Sequence, residues 1–215
     1  TNGTRLANPE FAHELAESKL GRLILSVDGA TEETYKIYRL AGHFHRVTRG
    51  VKQFTDARKK LGKRFPRADL QYIVMRHNEH EMDDIKKLGA DLGVDRVIFK
   101  SPQIYDFENA EDTLPENPKY RRYEKVDGEY KLKGSYSGYC SKLWYGSAIT
   151  WDKQVIPCCF DKDADFKMGE VGESEFSQIW DDDNYERFRK MVIRDRDSIE
   201  MCQNCTEGLK IFIRS

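Results

Sequence analysis

All five cysteines of this chain lie at or beyond residue 140: Cys140, Cys158, Cys159, Cys202 and Cys205. No other feature constrains the fold as tightly. The closing pair, Cys202-Gln203-Asn204-Cys205, has the spacing of a knuckle whose sulfurs converge on one metal centre. Cys140 and Cys158 supply two further corners. Neighbouring side chains in an extended segment point opposite ways, so only one of Cys158 and Cys159 faces such a centre easily. An odd, clustered set of thiols argues for metal binding in a reducing cytosol over a disulfide framework. The spacing alone leaves three outcomes open: an iron–sulfur cluster, a structural zinc site, or free thiols.

At 215 residues the chain holds one large domain or two modest ones. Charged residues make up 34%, and acids and bases mix to a net charge of −1. That leaves no electrostatic footprint for nucleic acid or an anionic membrane. No apolar run approaches the roughly 18 residues of a membrane span, and no signal-peptide pattern opens the chain. The expected location is therefore cytoplasmic. Thr1-Asn2-Gly3 lacks an initiator Met and reads as the turn that ends a strand. The expectation is the C-terminal part of a longer protein.

Up to Tyr105 the pattern alternates. Pro9–Leu20 has helical spacing, with Pro9 suited to a first turn. Leu23–Val27 is a continuous apolar run, as in a buried parallel strand, and Asp28-Gly29 ends it. Thr31 caps a helix to Tyr38. His43–Leu61 is a longer helix with Phe44, Val47, Val51, Phe54 and Ala57 on one face. Glu79–Leu92 is another, closed by Gly93. Strands are expected over residues 22–28, 69–75 and 95–100, parallel and covered by helices on one side. Residues 106–139 are polar and aromatic, with Pro115 and Pro118, and read as a linker in which Tyr130–Leu132 is a possible strand. From Cys140 on, Ser147–Trp151 and Gln154–Ile156 form a hairpin around Asp152-Lys153. Ser174 caps a helix with Phe176, Ile179, Trp180, Phe188, Met191 and Val192 on one stripe. A hairpin and one helix make too small a core to stand alone, and a bound metal would supply the missing stability.

Single residues admit plain readings as well. Ser26 and Asp28 sit two apart at the C-terminal end of a strand, where ligands bind in parallel α/β folds, yet Ser and Asp also make turns and caps. Arg39 ends a helix, where a cation faces the helix dipole. Asn78 reads as an N-cap before Glu79. Lys100 and Tyr105 end the last strand, and nothing selects them. His43 and His45 read as surface residues, and His77 and His80 do not form a ligand pair.

The first hundred residues resemble the C-terminal half of a radical SAM partial (β/α)6 barrel. Thr1-Asn2-Gly3 is similar to the end of its third strand. Leu25-Ser26-Val27-Asp28-Gly29-Ala30-Thr31, with Tyr35, Tyr38-Arg39 and Phe44, is similar to its fourth strand and following helix. Ile73-Val74 through Asn78 resembles the fifth, and Leu92-Gly93-Val94-Asp95 with Val97 leads into the sixth. The remainder resembles the auxiliary cluster extension called SPASM, in its shorter "twitch" form. That likeness rests on Cys140, Ile149-Thr150-Trp151-Asp152, Val155, Pro157-Cys158-Cys159, Met168-Gly169-Glu170-Val171, Ile179-Trp180 and Cys202-x-x-Cys205. Lys153 departs from the family, which has Gly there, and a positive φ at that position costs energy. The CxxxCxxC loop that holds the family's radical-generating cluster is not in this sequence.

The resemblance implies an α/β fold in three parts: residues 1–105 as part of the barrel, 106–139 as linker, and 140–215 as a hairpin-plus-helix cluster domain. It implies an auxiliary [4Fe–4S] cluster on Cys140, Cys158, Cys202 and Cys205, with Cys158 chosen because it follows Pro157. It places Ser26, Asp28 and Arg39 near S-adenosylmethionine, Arg39 toward the methionine carboxylate, which suits a guanidinium fork. In the parent protein a second [4Fe–4S] cluster cleaves S-adenosylmethionine to a 5′-deoxyadenosyl radical that oxidises or modifies a peptide or small-molecule substrate. An electron donor such as a flavodoxin or ferredoxin is implied. On the residues alone, a rival of another class stands beside it: a non-catalytic, zinc-stabilised binding module.

Overall fold

Three apolar runs become one parallel sheet: β1 (Arg22–Ser26), β2 (Arg67–Ile73) and β3 (Arg96–Lys100), paired in the order β1–β2–β3 with Leu25 opposite Leu70 and Leu70 opposite Val97. This computed structural model describes residues 1–136, 140–207 and 209–210, with only the backbone course given at 135, 136, 209 and 210. Side chains alternate across the sheet with period two. Leu23, Leu25, Val27, Ala68, Leu70, Tyr72 and Val74 enter the apolar core. Ser26, Asp69, Gln71 and Ile73 belong to the opposite face. Beyond β1, the first residue continues the ladder: the Thr1 amino group donates to the Ile24 carbonyl at 2.9 Å, and the Ser26 N–H donates to the Thr1 carbonyl at 2.9 Å. β2 begins two residues before the expected start because the Arg67 N–H already bonds the Gly21 carbonyl at 3.0 Å.

The helices of this part are α1 (Pro9–Glu17), α2 (Glu32–Tyr38), α3 (Phe44–Lys60), α4 (Met82–Leu92) and the short α5 (Ala110–Thr113). Pro9 occupies the first turn of α1, and the Asn8 side chain accepts from the Phe11 N–H at 3.1 Å. The Thr31 hydroxyl caps α2 by accepting from the Thr34 N–H at 3.1 Å. α1 contributes Ala12 and Ala16, α3 contributes Phe44, Val47, Val51 and Phe54, and α4 contributes Ile85 and Leu92 to the core that the strands also enter. The helix expected from Glu79 opens as a 3-10 turn over Glu79–Glu81 before α4 begins, and Gly93 ends it at φ 71°. Gly29 is required for a different reason. A Cβ there would lie 2.4 Å from the Tyr35 backbone nitrogen, so only glycine lets the turn after β1 pass under α2.

Charge is buried on the sheet as well. Asp69, 0% exposed, accepts from the Arg96 Nε and Nη2 at 2.8 and 2.9 Å and from the Arg22 Nε, joining all three strands at their N-terminal ends. Burial alone would raise its carboxyl pKa, but hydrogen bonds from Arg96 and Arg22 outweigh that and hold it below the ordinary value. Asp95 makes a second clasp. It accepts from buried Arg58 of α3 at 2.5 Å and from the Ala68 N–H at 2.6 Å.

The chain divides into two compact units, Thr1–Arg122 and Tyr123–Ser215. The stretch read as a linker is shared between them and is not structureless. It supplies α5 to the first unit. To the second it supplies the hairpin β4 (Tyr123–Val126) and β5 (Glu129–Leu132), then β6 (Ser135–Tyr136). The end of that stretch, 137–139, lies outside the described residues, as do 208 and 211–215. The expected hairpin forms from β7 (Ala148–Ile149) and β8 (Gln154–Ile156), and β9 (Gly169–Glu170) adds a third antiparallel strand. Lys153 adopts φ 72° in its turn. The single helix expected from Ser174 is two, α6 (Phe176–Trp180) and α7 (Asp183–Arg194), broken at Asp181-Asp182. Glu175, not Ser174, caps the first, in a reciprocal pair with Gln178. Ile179, Tyr185, Phe188 and Val192 are buried, whereas Phe176 and Met191 of the expected stripe are exposed. α8 (Glu200–Gln203) follows, and β10 (Leu209–Lys210) pairs with β6.

Two stability predictions follow from these features. Asp69→Asn is expected to lose about 1–3 kcal/mol at neutral pH, read as a lower urea midpoint by far-UV circular dichroism. Because the folded carboxyl is depressed, its contribution is present above the ordinary carboxylate pKa and lost as pH falls through the folded value. The gap between the two proteins should therefore narrow as pH falls below the ordinary carboxylate value, and a gap that does not narrow in acid refutes the assignment. Lys153→Gly is expected to gain about 0.5–1 kcal/mol by removing a side chain from left-handed backbone. Tryptophan fluorescence reads this directly, since Trp144, Trp151 and Trp180 all lie in the second unit.

Candidate functional site

Within the second unit, Cys140, Cys158, Cys202 and Cys205 line one cavity. Cys159 is exposed and does not line it. Each thiol arrives by a different local device. Cys140 precedes a 3-10 turn, Ser141–Trp144, whose Leu143 is buried. That turn is fixed by Arg189 of α7, which donates to the Leu143 carbonyl at 3.1 Å and to the Trp180 carbonyl at 3.1 Å, with its guanidinium 4.4 Å from the Trp180 ring centroid. Cys158 follows Pro157, which has no N–H to extend β8. The Asp161 N–H donates to the Cys158 carbonyl at 3.2 Å and turns the chain just past this thiol. Asp161 in turn is buried and folds the next loop by accepting from the Asp165 and Phe166 N–H groups at 2.9 and 3.0 Å.

Cys202 lies on α8 and Cys205 in the turn beyond it, where the Cys205 N–H donates to the Cys202 carbonyl at 3.1 Å. The Glu207 N–H donates to the Cys205 sulfur at 3.3 Å. Asn204, between the two thiols, accepts from the Tyr123 hydroxyl of β4 at 2.6 Å. Leu143, Pro157, Phe160, Phe188, Val192 and Met201 complete an apolar wall. Burial raises the pKa of the Cys158 thiol and pushes that of Cys202 up to about 11. Among the described residues, no three His, Cys, Asp or Glu side chains converge on a single-ion position. The thiols ring a space instead.

Two charged groups of this wall escape sequence reading. Arg196, 4% exposed, lines the cavity and donates to the Glu207 carbonyl at 2.7 Å. Lys142 pairs with the Glu207 carboxylate at 3.4 Å. An arginine six residues before a CxxC carries no periodicity or motif that marks it. Tyr123 had a signal, since Asp127-Gly128 at φ 54° and 86° is a strong hairpin turn, and that turn makes β4 a strand.

In the first unit the residues singled out at the strand ends come together in part. Ser26 ends β1, half-buried. Asp28 is completely buried. One of its oxygens accepts from Arg39 Nε and Nη2 at 3.0 and 2.6 Å, and the other from the Ile73 N–H at 2.9 Å. The Arg39 side chain is 31% exposed and presents the solvent side of this pair. Asn78 does not cap a helix with its side chain. It is buried, donating to the Asp28 and Ile73 carbonyls at 3.1 and 3.0 Å and accepting from the Met75 N–H at 2.7 Å. Glu81, also buried, accepts from the Ala30 N–H at 2.9 Å and the Thr34 hydroxyl at 2.8 Å. Exposed His43 and His45 stand outside this network, and Lys100 and Tyr105 are exposed as well.

Comparison with known proteins gives this geometry a context. Residues 140–206 match SPASM, the iron–sulfur cluster-binding domain. The mycofactocin maturase MftC of Mycobacterium ulcerans (strain Agy99) is 27% identical over 225 residues, covering 95% of this chain and 58% of that protein. The S-adenosyl-L-methionine-dependent 2-deoxy-scyllo-inosamine dehydrogenase of Niallia circulans is 38% identical over 60 residues, 27% of this chain and 24% of the relative. The chain thus spans less than two thirds of either relative. Among solved structures, BtrN in complex with AdoMet and 2-DOIA aligns over 95% of this chain and 79% of its own, at TM-score 0.38 and 16% identity. The chain carries a SPASM iron–sulfur cluster-binding domain over residues 140–206 and is similar to radical SAM proteins.

Proposed function

We propose that the second unit holds an auxiliary [4Fe–4S] cluster on Cys140, Cys158, Cys202 and Cys205. The whole protein, on this reading, is a radical SAM oxidoreductase acting on a peptide or small-molecule substrate. One observation carries the reading: four thiols line one cavity while Cys159 stays outside it. The arrangement suits a cluster better than zinc. A tetrahedral zinc site needs every sulfur about 2.3 Å from one point, whereas a cluster takes its thiolates at separate corners. When bound, such a cluster transfers single electrons, and four thiolates leave none of its irons open to substrate.

The chain's own residues do the rest. The Glu207 N–H aims at the Cys205 sulfur and orients that thiol. The apolar wall excludes water. Burial keeps the Cys158 and Cys202 thiols protonated until ligation displaces their protons.

The first unit, on the same reading, is the C-terminal half of a partial (β/α)6 barrel with S-adenosylmethionine at the strand ends. Arg39 offers its guanidinium to the methionine carboxylate, and buried Asp28 holds that guanidinium in place. Ser26 lines the same strand end. The second cluster, the electron donor (a flavodoxin or ferredoxin) and a cytoplasmic setting belong to this proposal. No described helix is long and apolar enough to cross a membrane.

Anaerobic reconstitution is expected to load about four irons and four sulfides per chain, with broad absorbance near ~400 nm. Ala at Cys140, Cys158, Cys202 or Cys205 should abolish this, and Cys159→Ala should retain it. Loss on Cys159→Ala with retention on Cys158→Ala inverts the ligand assignment. Tight zinc binding without a cluster favours the zinc-stabilised binding module. In the whole protein, Arg39→Lys keeps a charge beside Asp28 but loses the fork, so S-adenosylmethionine affinity should fall roughly ten-fold by calorimetry. Unchanged affinity removes Arg39 from the cofactor site.

A further inference from the structure

The charged groups lining the thiol cavity are Lys142, Arg196 and Glu207. Their environments differ. Lys142 and Glu207 pair with each other, and their side chains are 41% and 26% exposed, so water screens both. Arg196 is 4% exposed and lines the same cavity as Cys202. Its Nη1 donates to the Glu207 carbonyl at 2.7 Å. The same Glu207 donates its N–H to the Cys205 sulfur. One residue therefore ties a buried cation to a thiol of the closing pair.

Burying a guanidinium costs several kcal/mol unless an anion repays it. Glu207 also lines the cavity, but its carboxylate is engaged by Lys142 and by the Ser141 hydroxyl at 3.0 Å. Four thiolates around one centre are the anionic charge this cavity is built to contain. Each one-electron reduction of that centre adds a further negative charge beside Arg196. Such charge is stabilised most by the cation that water does not screen.

We infer that Arg196 is the residue that sets the reduction potential of the centre held in this cavity, holding it above the value that thiolate ligation and burial alone would give. This rests on the reading of the four cysteines as cluster ligands. Arg196 acts here as a positioning and charge-compensating residue. It lines the cavity that holds the ligands and takes no part in ligation. Arg189, also near the Cys140 turn, is engaged with carbonyls and aromatic rings and does not line the cavity.

The test is a dithionite titration of the anaerobically reconstituted full chain, followed by electron paramagnetic resonance and absorbance. Arg196→Met, Arg196→Lys and Lys142→Met are compared with the parent. Iron and sulfide content is measured first. A parent chain that holds no cluster defeats the ligand reading itself, and the inference falls with it. With cluster loaded, Arg196→Met should lower the reduced-to-oxidised ratio at a fixed solution potential by roughly ten-fold or more. Arg196→Lys should restore most of it. Lys142→Met removes the same formal charge from a screened position and should shift the ratio clearly less. Equal potentials in the parent and Arg196→Met overturn the inference, as does a shift in Lys142→Met as large as that in Arg196→Met. If Arg196→Met does not load, Arg196→Gln against Arg196→Lys makes the same comparison of charge with no charge. Equal potentials there, or failure of both to load, reduce Arg196 to a structural role and overturn it.

Discussion

The second unit depends on bringing thiols from three separated segments to one cavity. Its regular structure is slight: strands of two to four residues and, among the described residues, helices of which only α7 exceeds two turns. The core of Leu143, Val155, Met168, Ile179, Tyr185, Phe188, Val192 and Ile199 packs against Cys202, so the thiol cavity and the hydrophobic core share a wall. Small cores seldom supply more than a few kcal/mol. Ligation of converging thiolates contributes folding free energy directly, because the unfolded chain holds no such site. Burial pushes the Cys202 pKa up to about 11, so ligation of this thiol has to displace its proton. On the proposed reading, the stability of the unit therefore depends on its ligand.

The first unit solves a different problem. Parallel strands stop where their side chains must meet a ligand or solvent, and backbone groups past the last ladder bond need partners. Asp28, Asn78 and Glu81 supply them, each completely or almost completely buried. Asn78 alone engages the Asp28 carbonyl, the Ile73 carbonyl and the Met75 N–H. Asp28 engages the Ile73 N–H and the Arg39 guanidinium at once. Arg39, at the end of α2, is therefore fixed by a strand-end carboxylate and not by the helix dipole alone. Buried polar groups with every partner in place give a rigid rim, and a rigid rim holds a guanidinium fork where a planar carboxylate can use it.

The parts of this architecture that were legible in the sequence are those governed by local rules. Apolar runs gave the three parallel strands, and Pro9, Thr31 and Gly93 marked helix ends that the structure places within a few residues. The spacing of Cys202 and Cys205 announced a thiol pair. What local rules missed is long-range satisfaction. Asn78 looks like a helix cap because Glu79 follows it, yet its side chain serves the strands instead. The helix expected from Ser174 breaks at Asp181-Asp182, since Asp182 leaves the helical region at ψ 160° and starts α7. Tyr185 meanwhile turns inward to donate to Ser147 at 2.8 Å. Hairpin β4–β5 was read only in part, at Tyr130–Leu132, because half of its strand residues are charged and most are exposed. Its Asp-Gly turn is the signal that completes it.

Arg196 shows most clearly why a site of this kind cannot be read from spacing. The cysteines identify themselves, because a thiolate is the ligand and its spacing is the geometry. The charge that makes a cluster of thiolates tolerable in an apolar cavity has no fixed place in the chain. Any cation held out of water beside the sulfurs will serve. Here it sits on a 3-10 turn, Arg196–Ser198, that precedes α8, and the segment carrying the thiol pair closes back over it through the Glu207 carbonyl. The turn is short, polar and without periodicity, yet it buries a full positive charge. Such a burial is unfavourable in isolation. It becomes favourable once negative charge fills the cavity, which couples the folding of the wall to the filling of the space it encloses.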